Sequence, residues 1–299
     1  MTFAIIQVIF IQFILPVTFI ATLWKGKFTD QFQWIIQVVF NIVFMSWLFF
    51  SGSWDFLGIY LRYIFIIFLL IAIFQSWKNI RSLPFWLKSI AKQKWNIGIY
   101  LFLIFIFGMY NVFIMTSHMT DDEPIELVFP LKSGTYYIGH GGSNTFMNYH
   151  SDYPPQKYAL DILKLNRFGT RAKGLFPKEL DKYAIYQDAL YSPCNGEILE
   201  ARGNLPDLTP PDTDPENALG NYVALSCENT DAIVYMAHMA EGSVTLQEGS
   251  DIQVGDQVGT IGNSGNTTEP HLHIHAELDG EGVPITFDGR FLVRNHVIK

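Results

Sequence analysis

Pro270-His271-Leu272-His273-Ile274-His275 puts imidazoles on alternate residues directly after the glycine-punctuated turn Gly262-Asn263-Ser264-Gly265-Asn266-Thr267. Side chains at i and i+2 of a β-strand point to one face, so a strand here brings His271 and His273 to one point in space. That is the geometry of a metal ligand beside a catalytic partner. The competing reading of the segment alone is three polar residues on a solvated strand face. A phosphate-cradling role for the preceding turn fails, because the Walker lysine is absent and no helical pattern follows.

Outward from this strand the sequence reads as β. Runs at 134–138, 158–163, 196–200, 222–226 and 232–236 are rich in β-branched or aromatic residues and end on Gly, Pro, Asn or Asp. The stretch 248–259 alternates turns with single apolar anchors at Ile252, Val254 and Val258, which predicts two tight strands. Residues 204–216 are rich in proline and acid and read as a surface excursion, not as a calcium loop, because the spacing matches no known ligand loop. Two cysteines occur, Cys194 and Cys227, and their sequence positions allow either a disulfide or two buried thiols.

The amino-terminal third is a different material. All eight histidines lie at or beyond His118. Up to Ser117 there are eight Lys or Arg against two acids, a balance of +6, and the remainder carries 12 bases and 26 acids, or −14. Four apolar stretches, 3–23, 32–50, 56–74 and 96–115, are each close to the ~20 residues that span a bilayer core. Arg62 is the one charged residue inside them and is expected to snorkel to the headgroups. Trp24, Trp54, Trp77 and Trp95 stand at stretch ends, where indoles favour the interface. Lys25 and Lys27 mark the first loop, and Lys78, Arg81, Lys88, Lys92 and Lys94 crowd the third. The positive-inside rule therefore puts the amino terminus outside, gives four crossings, and holds the carboxy-terminal part outside the cytoplasmic membrane as a multi-pass protein. No basic region precedes the first stretch, which argues against a cleaved leader. The expected organisation is a four-helix transmembrane region at 1–117, a linker at 118–130 and an extracytoplasmic domain at 131–299.

That outer domain offers a ligand set for zinc: His150, Asp161, His238 and the pair His271 and His273. With Tyr235-Met236-Ala237-His238, the turn at 254–258 and the Gly262–Thr267 turn before Pro270-His271-Leu272-His273, the chain resembles the lysostaphin-like (LytM-type) zinc metallopeptidases of peptidase family M23. The resemblance covers roughly residue 134 to the end. It implies an all-β antiparallel lysostaphin-like fold (duplicated hybrid motif) following the α-helical transmembrane bundle. It also implies Zn2+ held by His150, Asp161 and His273, with His238 and His271 as catalytic imidazoles flanking the attacking water. Ten residues separate His150 from Asp161, where the family usually places three, so residues 151–157 must bulge out. His140 in Gly139-His140-Gly141-Gly142 is the alternative first ligand, and Asp152 a weaker one.

By that resemblance the chain is a peptidoglycan hydrolase, a zinc metalloendopeptidase cutting cross-links or stem peptides, with a peptidoglycan peptide and the lipid bilayer as its partners and no nucleic acid. Two alternatives stay open: a catalytically silent domain of the same fold that binds wall or a protein partner, and a protease acting on secreted peptides or proteins. The apolar stretches give little support for transport, since ion pathways usually need buried ionisable groups.

Overall fold

The structure, a computed structural model, describes residues 2–86 and 91–299. Lys88, counted above among the third-loop cations, lies outside the described residues, as does the side chain of Lys92. The chain divides into two compact units. One comprises Thr2–Trp54 and Gly58–Met115, and the other Thr116–Lys299 together with Asp55–Leu57.

The first unit holds four helices long and apolar enough to cross a membrane: Phe3–Lys25, Gln31–Ser51, Leu61–Ile80 and Lys94–Thr116. In the first, a π-helical turn at Phe10–Ile14 leads into Pro16, whose ring removes a backbone donor. The second is capped by Asp30, whose carboxylate accepts from Gln33 N at 2.9 Å. The third begins at Leu61, five residues later than the apolar stretch suggests. The short helix Trp54–Leu57 stops at Gly58, where a φ of 104° favours glycine. Arg62 therefore falls in the first turn of that helix, and its guanidinium lies 4.9 Å from the ring centres of Phe49 and Tyr63. The scattered polar residues find partners across helices: Trp34 Nε1 donates to Ser76 Oγ at 2.9 Å, Gln37 Nε2 to Thr22 Oγ1 at 3.2 Å, and Ser46 Oγ to Asn111 Oδ1 at 2.8 Å.

The second unit is built of short strands: β1 (Ile125–Leu127), β2 (Thr135–His140), β3 (Leu160–Leu165), β4 (Ala189–Tyr191), β5 (Gly196–Arg202), β6 (Asn221–Cys227), β7 (Ile233–Met239), β8 (Asp251–Ile252), β9 (Gln257–Thr260), β10 (Leu272–Leu278), β11 (Glu281–Val283), β12 (Ile285–Phe287), β13 (Arg290–Phe291) and β14 (Val297–Ile298). Among the described residues they form a nine-stranded antiparallel sheet in the order β14-β2-β3-β10-β7-β6-β5-β8, with β11 paired to β10. A three-stranded sheet β1-β12-β13 and the ribbon β4-β9 complete it. β1 lies within the stretch read as a linker and pairs in parallel with β12. The two strands expected between 248 and 259 exist as β8 and β9 but serve different sheets. Cys194 and Cys227 form a disulfide, Cα to Cα 5.7 Å, where β5 and β6 begin to pair.

One apolar core runs through the unit, drawing Ile138, Ile162, Ile198, Leu225, Val234, Leu272, Ile274 and Phe287 from its strands. β10 carries the alternation that its sequence announces: Leu272 and Ile274 face this core, so His271, His273 and His275 share the other face. Neighbours β3 and β7 on either side set what that face meets.

Candidate metal centre

Register assembles the centre. His273 lies opposite Asp161 on β3 and opposite Ala237 on β7, so the Asp161 carboxylate shares the histidine face. His273 Nδ1 and Asp161 Oδ1 are 3.0 Å apart, and His271 Nε2 is 3.4 Å from the same oxygen.

His150 arrives from outside the sheet. It sits in a 3-10 turn, Tyr149–Asp152, capped by Asn148, whose Oδ1 accepts from His150 N at 3.2 Å. The fully buried Asn148 amide also donates to Gly142 O and Ala159 O, at 3.1 and 3.0 Å. Those bonds hold the turn against β3, and His150 Nε2 meets both Asp161 oxygens at 3.1 Å. A second 3-10 turn, Pro154–Gln156, packs against Gly282 of β11, where a Cβ would lie 3.0 Å from Pro154 O. The ten-residue spacing is thus taken up by two turns stacked on the sheet.

His238 is brought in by a backbone inversion. Regular alternation on β7 would send it with Met236 into the core, but its φ is +63°, a conformation uncommon outside glycine, and a register shift in the β6–β7 pairing lies between Asn221 and Val223. Its ring instead stands 4.9 Å from that of His271 and 5.7 Å from that of His273. The inversion is secured by close backbone packing. Ser264 O accepts from His238 Nδ1 at 2.9 Å, and a Cβ on Gly220 would sit 2.2 Å from that same carbonyl oxygen.

The hydrogen bonds fix the imidazole protons. His238 Nδ1–H donates to Ser264 O, and His271 Nδ1–H donates to Glu269 O at 2.9 Å, which leaves each Nε2 for the centre. His271 Nε2 is buried and faces the Asp161 carboxylate at 3.4 Å. Burial, followed by the neighbouring His271 and His273, holds His238 well below the usual imidazole range. Burial also opposes charge on His271, but the Asp161 carboxylate and the Glu269 carbonyl outweigh it and raise its pKa.

Two donor sets have all their atoms within 4.8 Å of one another: His150, Asp161 and His273, and His238, His271 and His273. His140 belongs to neither. Arg294 Nη2 donates to its ring at 2.8 Å, and burial together with that guanidinium pushes its pKa down to about 3. His275 Nδ1 lies 3.1 Å from His273 Nε2, and its ring stacks on Tyr235 at 4.8 Å. His118 and His296 stand together, ring centres 5.7 Å apart. Beside the centre opens a cavity of about 740 Å3, whose lining includes Tyr149, Asp152, Tyr153, Tyr235, His275 and Glu277. Asp152 therefore faces the cavity and is in neither donor set.

The family model described as Peptidase family M23 matches residues 182–285. The chain carries an M23 peptidase domain. The matched residues include His238, His271 and His273 of the M23 domain and begin after His150 and Asp161, the two positions separated by the long spacing. Solved structures to which the chain is similar include a zinc containing peptidase from Vibrio cholerae, at 14% identity over 54% of this chain and 39% of that one, TM-score 0.31. A putative peptidase M23 from Pseudomonas aeruginosa is similar at 14% identity over 67% and 62%, TM-score 0.31. The catalytic domain of the antimicrobial peptidase lysostaphin from Staphylococcus simulans is similar at 16% identity over 49% and 85%, TM-score 0.30. The Vibrio and Pseudomonas matches span less than two thirds of those chains. No curated protein sequence matches this chain.

Proposed function

We propose that the chain is a membrane-anchored, zinc-dependent endopeptidase that hydrolyses peptide bonds in bacterial peptidoglycan, in cell-wall cross-links or stem peptides. The observation that carries this reading is the convergence of His150, Asp161 and His273, donor atoms within 4.8 Å of one another, beside two imidazoles whose Nδ1–H groups are held by backbone carbonyls. His150, Asp161 and His273 are the proposed ligands. Two imidazoles and a buried carboxylate with converging donor atoms suit zinc in a site that keeps a position open. Zinc bound there supplies a Lewis acid for the scissile carbonyl and lowers the pKa of a water molecule.

The chain's own groups do the rest. His238 and His271, each held as the Nδ1–H form, present Nε2 to take the proton of the attacking water. Either ring, once protonated, donates to the developing oxyanion and then returns the proton to the leaving amine. The cavity between Tyr149 and Tyr235 accommodates the flanking peptide.

The proposed topology puts the M23 domain outside the cytoplasmic membrane, with Lys25, Lys27, Lys78, Arg81 and Lys94 on the inner side. The Cys194–Cys227 disulfide supports an oxidising compartment. Protease added to intact cells should remove the domain, and full protection would contradict the topology. The activity is tested by incubating the purified full chain with peptidoglycan and identifying released fragments by mass spectrometry. Chelator-sensitive release of new peptide termini is expected. Stoichiometric zinc with no fragments would contradict the enzyme and point to a wall-binding domain.

A further inference from the structure

We propose that Arg171 is a positioning residue for His271, clamped between Glu269 and Asp55, so that the segment joining the second and third spans is a working part of the peptidase site. The proposal rests on the reading of His271 as a catalytic imidazole.

Arg171 is 1% exposed. Its Nε donates to both oxygens of Glu269, at 2.7 and 2.8 Å, and its Nη2 donates to Leu175 O at 3.0 Å. Glu269 stands two residues before His271, and its backbone carbonyl accepts both His271 Nδ1–H, at 2.9 Å, and the Thr267 hydroxyl, at 2.8 Å. The carboxylate that Arg171 holds and the carbonyl that aims the imidazole therefore belong to one residue.

Asp55 and Phe56 also pack on the guanidinium. Asp55 Oδ2 lies 3.4 Å from Arg171 Nε, Asp55 O accepts from Arg171 N at 3.0 Å, and the Phe56 ring centre is 3.4 Å from Arg171 Cζ. These contacts fall inside one compact unit, which takes in Asp55–Leu57. Burying the guanidinium and the Asp55 carboxylate beside the partly exposed Glu269 carries a desolvation cost that apolar packing would not. A cluster of that kind gains directional precision, and here the direction ends on the Nδ1–H of His271.

The test is Asp55→Ala in the full chain, which opens the clamp without touching the histidines or the 266–270 segment. Zinc affinity should be unchanged and KM preserved, while kcat falls by about tenfold to a hundredfold. Asp55→Asn, which keeps an acceptor, should restore most of the rate. The second readout is independent of hydrolysis. In 15N-histidine-labelled protein the His271 ring shifts should report the Nδ1–H form in wild type and a mixture of tautomers in Asp55→Ala. Arg171→Met, which strands two carboxylates and can cost the fold, is expected to show the larger change where it folds. Wild-type kcat with unaltered His271 shifts in folded Asp55→Ala would overturn the proposal. A wild-type chain that binds no zinc or releases no peptide would overturn the enzymatic reading instead, and the ring shifts would still decide the clamp.

Discussion

His238 shows what a single residue can hide. Period-two alternation on β7 assigns its side chain to the core beside Met236, and only the left-handed backbone at +63° returns it to the histidine face. That inversion depends on how closely Gly220 approaches Ser264, a tertiary fact with no local signature. His271 and His273 were legible because the strand period alone puts them together. Asn148 was not legible, since a buried asparagine before a histidine reads as an ordinary turn residue. Its four side-chain hydrogen bonds nevertheless determine where His150 stands. Asn148→Ala should weaken zinc binding by roughly tenfold to a hundredfold, as losing support behind a ligand does, and leave the sheet intact. Chelator competition measures this, and an unchanged affinity would remove Asn148 from the account.

At the scale of elements, β2, β3, β5, β6, β7 and β10 lie within a few residues of the runs that announce them, because each has its own apolar run and a turn at either end, whereas the two- and three-residue β1, β4 and β11–β14 are too short to carry one. Residues 204–216 form the surface excursion expected of them, but their tertiary role was hidden: Asp207 Oδ1 accepts from Asn263 N at 2.7 Å and Leu208 N donates to Asn263 O at 3.0 Å, which braces the glycine turn ahead of β10. The late start of the third span was hidden for a related reason. Hydropathy cannot see the stop at Gly58, and the Asp55–Leu57 segment it releases meets Arg171. Burial, only partly offset by Arg171, pushes the Asp55 carboxyl from 3.8 up to about 6. A folded-state pKa above the unfolded one favours the fold while the carboxyl is protonated. This contribution is full below about pH 3.8 and is lost as pH rises through 6. Asp55→Asn removes the titration, so its Tm relative to wild type should be highest at pH 7.5 and shrink towards pH 5. A difference independent of pH would contradict the buried, charge-disfavouring setting of Asp55.

The whole molecule divides its labour by composition. The helical region holds four helices long and apolar enough to cross a membrane, and the −14 balance beyond Ser117 belongs to a β domain with every one of the eight histidines. That division was open to hydropathy and charge counting, because membrane spans are written in composition more than in contacts. The central claim is narrower: one centre in which His150, Asp161 and His273 hold zinc while His238 and His271 move protons. The most direct measurement is the zinc content and peptide-bond hydrolysis of the full chain beside its His273→Ala and His238→Ala variants. His273→Ala should lose both zinc and activity, whereas His238→Ala should keep its zinc and lose about 10²–10⁴-fold in turnover. Loss of zinc from His238→Ala would move the metal to the second donor set, and full hydrolysis by either variant would contradict the centre described here.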